Sequence, residues 1–168
     1  MKIILLGHMR SGKDTTAEIL QEMYGITYKS SSQAAAEIFI FDELKEKYGY
    51  KTFEECFEDR VNHRSEWYDL ICEYNKDDKA RLFKEITKDG SMYIGMRDNE
   101  ELQACRPFID LVIAVFDPRK PLEDDSSFNI DIYSADIIIP NSGTIEDLRR
   151  KLYNLRGLFF QTQIVKKR

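Results

Sequence analysis

The chain has 168 residues, which is enough for one domain with a sizeable core and short for two. Hydrophobic residues make up 42% and charged residues 33%, the composition of an ordinary soluble globular protein rather than a disordered or fibrous one. The formal net charge of −5 repels phosphate backbones, which disfavours a broad nucleic-acid-binding surface but is compatible with a small basic pocket.

The amino-terminal segment has the pattern of a βαβ unit. Ile3–Leu6 is a wholly apolar run ended by Gly7, which predicts a buried parallel strand. Lys13–Tyr24 is predicted to be a helix that ends at Gly25, because mostly apolar residues recur on one face. The residues of this face are Thr16, Ile19, Leu20 and Met23. Residues 26–29 then form the expected second strand.

The middle of the chain, residues 33–90, is highly charged and has a helical pattern. We predict three or four helices here, inserted between two strands. Strand patterns return at Met92–Ile94, Leu111–Phe116 and residues 135–139, with a short helix over residues 99–106.

The remaining segments complete the predicted order of elements. Residues 117–128 contain two prolines and several charges and are expected to form an exposed loop. Thr144 caps the last helix, with Asp147 in the place of the usual Glu of a capping box, and residues 161–168 are expected to form a frayed basic tail. Alternating strands and helices predict an α/β fold with a doubly wound parallel sheet, in which ligands bind beyond the carboxyl ends of the strands.

A phosphate-binding loop is the most specific motif of the sequence. Residues 7–13 match G-x-x-x-x-G-K, with an apolar strand before them and an amphipathic helix after them. The glycines let backbone N–H groups turn inward around phosphate oxygens, and the helix that starts near Lys13 adds its positive end. Lys13 supplies a mobile charge for the β and γ phosphates. Asp14 stands where Ser or Thr usually ligates magnesium, and Thr15 follows; a carboxylate is also a competent magnesium ligand.

The string RSGKDT at residues 10–15 resembles the phosphate loop of the bacteriophage deoxynucleoside monophosphate kinases. Related GKDT loops occur in the animal-type phosphomevalonate kinases. Two further segments are similar to this branch of P-loop kinases. Residues 94–101 lie where the branch has a strand ending in Asp-x-Arg before an acidic helix start, and Asn141-x-Gly143 follows the last strand, near where adenine is held.

The resemblance implies a single P-loop kinase domain over residues 1–168, with a five-stranded sheet in the order 2-3-1-4-5 and with ATP and Mg²⁺ as cofactors. The acceptor site and lid would lie in the insertion, residues 33–90. The residues implied to hold the nucleotide are Gly7, Arg10, Ser11, Gly12, Lys13, Asp14, Thr15 and Asn141. Those implied to act in catalysis are Lys13, Asp14, Asp59 and Arg97, with Asp14 and Thr15 as metal ligands.

One position departs from the pattern of the resembling kinases. Gly95 stands where their metal-binding Asp ends the strand. Asp14 compensates in the preferred interpretation, and Asp117, at the end of the neighbouring strand, is the alternative. Arg97 lies at the strand end on the loop side of the sheet, which makes it a candidate phosphate ligand.

Residues 58–64 contain two arginines, a histidine and two carboxylates. An Asp-Arg pair here resembles the DR motif of thymidylate-type kinases, which implies that Arg60 clamps phosphate and that Asp59 orients the acceptor. Arg64 is a second candidate phosphate ligand, and Trp67 is a candidate stacking face for a base. The alternative is a solvated charged face, with Trp67 packed in the core.

Three functions follow as hypotheses. The leading one is transfer of the γ-phosphoryl group of ATP to a nucleoside or deoxynucleoside monophosphate. The second keeps the kinase but makes the acceptor the hydroxyl of 5-hydroxymethyl-deoxyuridine in DNA, with Asp59 as the base. The third is a catalytically inactive nucleotide-binding relative, which Gly95 favours.

Compartment and partners follow from simpler features. Three scattered cysteines without CxxC spacing argue against a disulfide framework or a zinc site and fit a reducing compartment. The first apolar run is too short for a signal segment or a membrane span. We therefore expect a complete cytoplasmic protein, in the host cytoplasm if phage-encoded, with DNA as a partner only through a modified base. No pattern indicates an oligomeric state.

Overall fold

The computed structural model describes residues 1–124 and 128–159. Its strands are β1 Ile3–Leu6, β2 Tyr28–Ser30, β3 Met92–Ile94, β4 Leu111–Phe116 and β5 Ile137–Pro140. All neighbouring strands pair in parallel, in the order β2-β3-β1-β4-β5. The predicted α/β class, strand number and strand order are therefore confirmed.

Helices connect these strands and cover the sheet. They are α1 Lys13–Tyr24, α2 Ser31–Ala35, α3 Phe41–Tyr48, α4 Phe53–Asp59, α5 Arg64–Tyr74, α6 Arg81–Thr87, α7 Asn99–Cys105 and α8 Ile145–Asn154. A π-helical stretch, Ala36–Ile40, joins α2 to α3 without a break, and short 3₁₀ turns cover Arg106–Phe108 and Ile132–Ser134. No helix within the described ranges is long and apolar enough to cross a lipid bilayer.

Helix ends follow the predicted chemistry closely. Gly25 ends α1 in the left-handed conformation, and its N–H donates to the carbonyl of Gln21. Thr144 and Asp147 form a reciprocal capping box at the start of α8, as predicted. The predicted basic tail, residues 161–168, lies outside the described residues.

Two strands lie slightly later in the chain than predicted, because pairing sets their limits. β2 spans Tyr28–Ser30, the residues that lie opposite β3, instead of residues 26–29. β5 spans Ile137–Pro140, opposite the second half of β4, instead of residues 135–139. Before it, the N–H and carboxylate of Asp136 bond to the carbonyl and N–H of Val112.

Both faces of the sheet are buried, so strand residues alternate between two cores. Ile3 and Leu5 of β1 belong to the core beneath α1 and α8, together with Leu20 and Leu148. α1 and α8 therefore cover one face of the sheet. This packing holds the start of α1 next to the loop that follows β1.

The helical insertion covers the opposite face. Ile4 and Leu6 share their core with Ala35 of α2, Phe83 of α6 and Trp67 of α5, none of them more than 4% exposed. The predicted position of the insertion, between the second and third strands, is confirmed, and it contains the five helices α2 to α6, the first two joined by the π-helical stretch. Because α2 and α6 supply part of the sheet's own core, they cannot swing as a lid without exposing it.

A partly buried carboxyl group lies beside β3 on the same face. The hydroxyl of Tyr93, which is 1% exposed, donates to Oε1 of Glu101 at 2.7 Å. Burial is the main cause that raises the pKa of Glu101, to about 7, against the lowering effect of the Tyr93 hydrogen bond. The folded state therefore holds this proton more tightly than the unfolded chain does.

Replacing Glu101 with glutamine should stabilise the protein above neutral pH. The pKa of Glu101 rises from 4.5 to about 7 on folding, so its ionisation destabilises the native state increasingly across that interval. Glutamine keeps the acceptor oxygen for Tyr93 and cannot ionise. We expect a gain of about 1–3 kcal/mol in unfolding free energy near pH 8 and no gain below about pH 4.5.

Chemical denaturation at several pH values measures this difference. The matched control is Glu100→Gln, on the exposed side of the same helix, where the side chain is 78% exposed. A gain for Glu101→Gln that is independent of pH would contradict the assigned ionisation.

Candidate active site

The loop between β1 and α1 has the geometry of a phosphate cradle. Its backbone turns at Arg10, with φ of 61°, and at Gly12, with φ of 94°, both in the left-handed region. The N–H of Ser11 donates to the carbonyl of His8 at 3.2 Å, and that of Thr16 to Gly12 at 2.9 Å, which starts α1. A non-glycine residue such as Arg10 is uncommon in this conformation, and such outliers cluster at ligand sites.

Asn141 holds the loop from the other side. It follows β5, and its Nδ2 donates to the carbonyl of Ser11 at 2.9 Å. A Cβ on Gly12 would collide with this amide group. Glycine is thus required at residue 12 both by its backbone conformation and by its contact with Asn141.

Lys13 and Asp14 begin α1 at the edge of the cradle. The side chain of Lys13 is 14% exposed and that of Asp14 is 76% exposed, with Nζ and Oδ2 3.8 Å apart. The positive end of a 12-residue helix lies at the same point. The predicted position of Lys13 at the start of the helix is confirmed.

The residues at this point fit a magnesium ion that is shared with phosphate oxygens. Among residues 1–124 and 128–159, no group of three or more His, Cys, Asp or Glu is arranged to hold a metal alone. Magnesium often binds one or two protein oxygens and completes its shell with substrate phosphates and water. The exposed carboxylate of Asp14 and the hydroxyl of Thr15 are suitable oxygens.

Asp117, the alternative metal ligand, is already engaged by a neighbouring arginine. It is 5% exposed, and its two oxygens accept hydrogen bonds from Arg119 at 2.8 and 2.9 Å. The Arg119 guanidinium holds the pKa of this carboxyl at about 2. Arg119 also donates to the carbonyl of Asn141 at 3.3 Å, so the pair braces the same edge of the cradle.

A second carboxylate, Glu123, reaches the cradle from the loop after β4. Its Oε2 accepts the N–H of Met9 at 2.5 Å, and its Oε1 accepts from Arg97 at 2.5 Å. The side chain is 12% exposed. The segment predicted to be an exposed loop therefore places one partly buried carboxylate against the phosphate loop, together with Arg97.

His8 also joins the phosphate loop to the segment that contains Glu123. The backbone N–H of Glu123 donates to its Nδ1 at 3.2 Å, and its ring lies 4.3 Å from the ring of Phe128. Burial is the largest cause lowering the pKa of His8, which favours a neutral ring. Because Nδ1 accepts a hydrogen bond, the proton of the neutral ring is on Nε2.

The predicted acceptor residues of the insertion are held by local contacts. Asp59 accepts hydrogen bonds from Tyr50 at 2.5 Å and Asn62 at 2.6 Å, and it lies 3.0 Å from His63 Nε2. These contacts all fall within residues 50–63. They account for Asp59 as part of a structural network, and its predicted catalytic role stays a prediction.

The neighbouring aromatic and basic residues differ in what they offer a ligand. Trp67 is 4% exposed and packs near Phe57, as the alternative of a core position predicts, and stacking of a base on its ring stays a prediction. Arg60 lies 4.0 Å above the ring of Phe57 and donates to its carbonyl at 2.7 Å. Arg64 is exposed at the start of α5. Phosphate binding by either arginine stays a prediction.

The comparisons with known proteins agree with this architecture. No family model matches the sequence, and no curated protein matches it. Three solved structures resemble the chain over 94% of its length: shikimate kinase from Aquifex aeolicus, dephospho-CoA kinase from Campylobacter jejuni and TT1252 from Thermus thermophilus. Their sequence identities are 19%, 14% and 17%, their TM-scores 0.50, 0.53 and 0.55, and 97%, 96% and 96% of their lengths are covered. The chain therefore shares its fold with P-loop kinases.

Proposed function

We propose that the protein is an ATP-dependent kinase that transfers the γ-phosphoryl group of Mg·ATP to a nucleoside or deoxynucleoside monophosphate. The observation that carries the proposal is the braced cradle between β1 and α1, with Lys13 at the helix start and Asn141 bonded to the Ser11 carbonyl at 2.9 Å. A cradle of this kind binds the phosphate tail of a nucleotide.

The residues of the cradle have distinct roles in this proposal. Backbone N–H groups of Arg10, Gly12 and Lys13 hold the phosphate oxygens, and the left-handed turn at Gly12 directs them inward. The ammonium group of Lys13 follows the charge that moves onto the bridging oxygen during transfer. Asp14 and Thr15 hold the magnesium ion, which neutralises phosphate charge when bound.

A phosphate acceptor is favoured over a hydroxyl acceptor. A hydroxyl must lose a proton to a base, whereas a phosphate is already ionised. Asp59, the candidate base, has both oxygens engaged by neighbouring side chains. Arg97 contacts a carboxylate oxygen at 2.5 Å beside the cradle, which supports a role in binding an anionic acceptor.

Gly95 favours one alternative, an inactive nucleotide-binding relative. Its φ of 101° is strained for other residues, and a Cβ there would lie 2.8 Å from Ser31 Oγ. An aspartate therefore does not fit where the resembling kinases have one. The kinase proposal requires Asp14 to hold the metal in its place.

Incubation with γ-labelled ATP and Mg²⁺ tests these alternatives. The acceptors are the common ribo- and deoxynucleoside monophosphates, offered singly, and DNA containing 5-hydroxymethyl-deoxyuridine. We expect labelled nucleoside diphosphate from at least one monophosphate. Label retained in DNA would identify the hydroxyl acceptor instead. Binding of Mg·ATP without transfer of label to any acceptor would favour the inactive relative and contradict the proposal.

A further inference from the structure

A cavity of about 400 Å³ lies beside the phosphate loop, outside the helical insertion. Its apolar walls come from the end of β4 and the chain that leads into β5. They are Phe116, Leu122, Phe128, Ile130, Ile132 and Tyr133. The volume falls within the range of about 300–1,000 Å³ that is typical of small-molecule sites. A cavity lined by aromatic and aliphatic side chains suits a planar ring.

The polar part of the lining indicates an uncharged ligand group. His8, Glu123, Asn129 and Asp131 complete the wall, and none of the lining residues within the described ranges is a lysine or arginine. Two carboxylates and no cation disfavour a phosphate inside the cavity itself. A nucleobase combines a flat apolar face with hydrogen-bonding edges and carries no charge, so it matches this lining.

The cavity and the phosphate loop meet at two residues. His8 belongs to the loop and also lines the cavity. Glu123 lines the cavity, and its carboxylate bonds to the Met9 N–H and to Arg97. A backbone donor and a guanidinium form a pair that binds phosphate oxygens as readily as a carboxylate. Glu123 therefore marks an anion position directly adjacent to a ring-sized cavity.

We infer that the cavity binds the base of the acceptor nucleotide and that the acceptor phosphate replaces the Glu123 carboxylate on Met9 and Arg97. This inference rests on the proposed kinase function. It places the acceptor between the phosphate loop and the chain after β4, and not at residues 58–64. A bound base would contact Phe128 and Ile132, while its phosphate faces the γ-phosphate in the cradle.

Blocking the cavity mouth tests the position of the base. Leu122 is 67% exposed, so a tryptophan there fills space at the mouth without disturbing the core. With the four common deoxynucleoside monophosphates, we expect Leu122→Trp to raise the KM of each monophosphate that is phosphorylated at least about tenfold, with the KM for ATP within about twofold. The matched control is Val61→Trp, since Val61 is 54% exposed between Arg60 and Arg64. A higher KM for the monophosphates in Val61→Trp, with an unchanged KM in Leu122→Trp, overturns the inference.

Removing the carboxylate tests the position of the phosphate. Glu123→Gln deletes the competing negative charge, so the KM for the nucleoside monophosphate should fall by about threefold or more. If Glu123 serves only to orient Arg97, kcat falls and KM does not improve, and that result overturns this part of the inference.

Amide NMR shifts separate failure of the site from failure of the function. Each deoxynucleoside monophosphate is titrated into the full chain, and shifts are compared between residues 128–133 and residues 60–67. Shifts at residues 128–133 support the site. If these shifts occur but no label is transferred from ATP, only the kinase proposal is overturned. Transfer with shifts confined to residues 60–67 overturns the site and leaves the kinase proposal standing. Absence of shifts from all four nucleotides overturns the site.

Discussion

Replacing Lys13 with alanine should lower kcat/KM for phosphoryl transfer by about 10²–10³-fold or more, with little change in stability. Lys13 is the first residue of α1, and its ammonium group lies at the cradle, 3.8 Å from Asp14. This distance is loose for an ion pair, and the partner carboxylate is largely exposed. The fold therefore depends little on the lysine charge, whereas the transition state depends on it strongly.

Steady-state kinetics and thermal unfolding together measure this difference. The matched control is Lys88→Ala, because Lys88 is exposed and its ion pair with Glu85 lies on a distant helical surface. We expect normal turnover in the control and unfolding midpoints of both variants within about 4 °C of the parent. Near-normal turnover by Lys13→Ala would exclude the proposed mechanism.

The cradle was predictable from sequence because its signals are local. An apolar strand, two glycines at fixed spacing and an amphipathic helix all fall within residues 3–24, and each has its own physical cause. β3 and β4 were predicted with their observed limits for the same reason: each is a short apolar run bounded by turn residues. Strand ends that depend on a partner, as in β2 and β5, shifted by one or two residues.

The second half of the site was not predictable, since it depends on contacts between distant segments. Glu123 lies 114 positions from Met9, and Asn141 lies 130 positions from Ser11. No spacing rule connects such residues, and a loop with prolines and charges gives no sign that one carboxylate will be partly buried against the phosphate loop. The resemblance placed Asn141 near the nucleotide, but only the structure connects its side chain to the phosphate loop.

In the insertion, residues whose chemistry suits a binding site make structural contacts instead. Residues 58–64 contain the residue types that bind phosphate, yet Asp59 and Arg60 make hydrogen bonds with their sequence neighbours. Trp67 recurs with other apolar residues on one face of a helix. This spacing is the same whether the face packs in the core or is exposed to stack on a ligand. Only the packing of Phe57 and the sheet against it identifies the core.

Replacing Gly12 with alanine should abolish tight Mg·ATP binding, whereas the same change at Gly25 should not affect it. Both glycines have positive φ, 94° and 67°, so alanine is strained at both, by about 1–2 kcal/mol. The surroundings differ. An added Cβ meets nothing within 4 Å at Gly25, but at Gly12 it collides with the Asn141 amide that holds the Ser11 carbonyl.

Titration calorimetry with Mg·ATP distinguishes the two variants. The strain should lower the stability of both proteins by similar amounts, so a difference in affinity reports the effect of the change within the phosphate loop itself. We expect the dissociation constant to rise at least about tenfold more in Gly12→Ala than in Gly25→Ala, equivalent to about 1.4 kcal/mol. Adding Asn141→Ala to Gly12→Ala removes the collision but not the strain, and so should recover only part of the loss. Equal affinities in the two glycine variants would mean that the cradle, as described, does not bind the nucleotide.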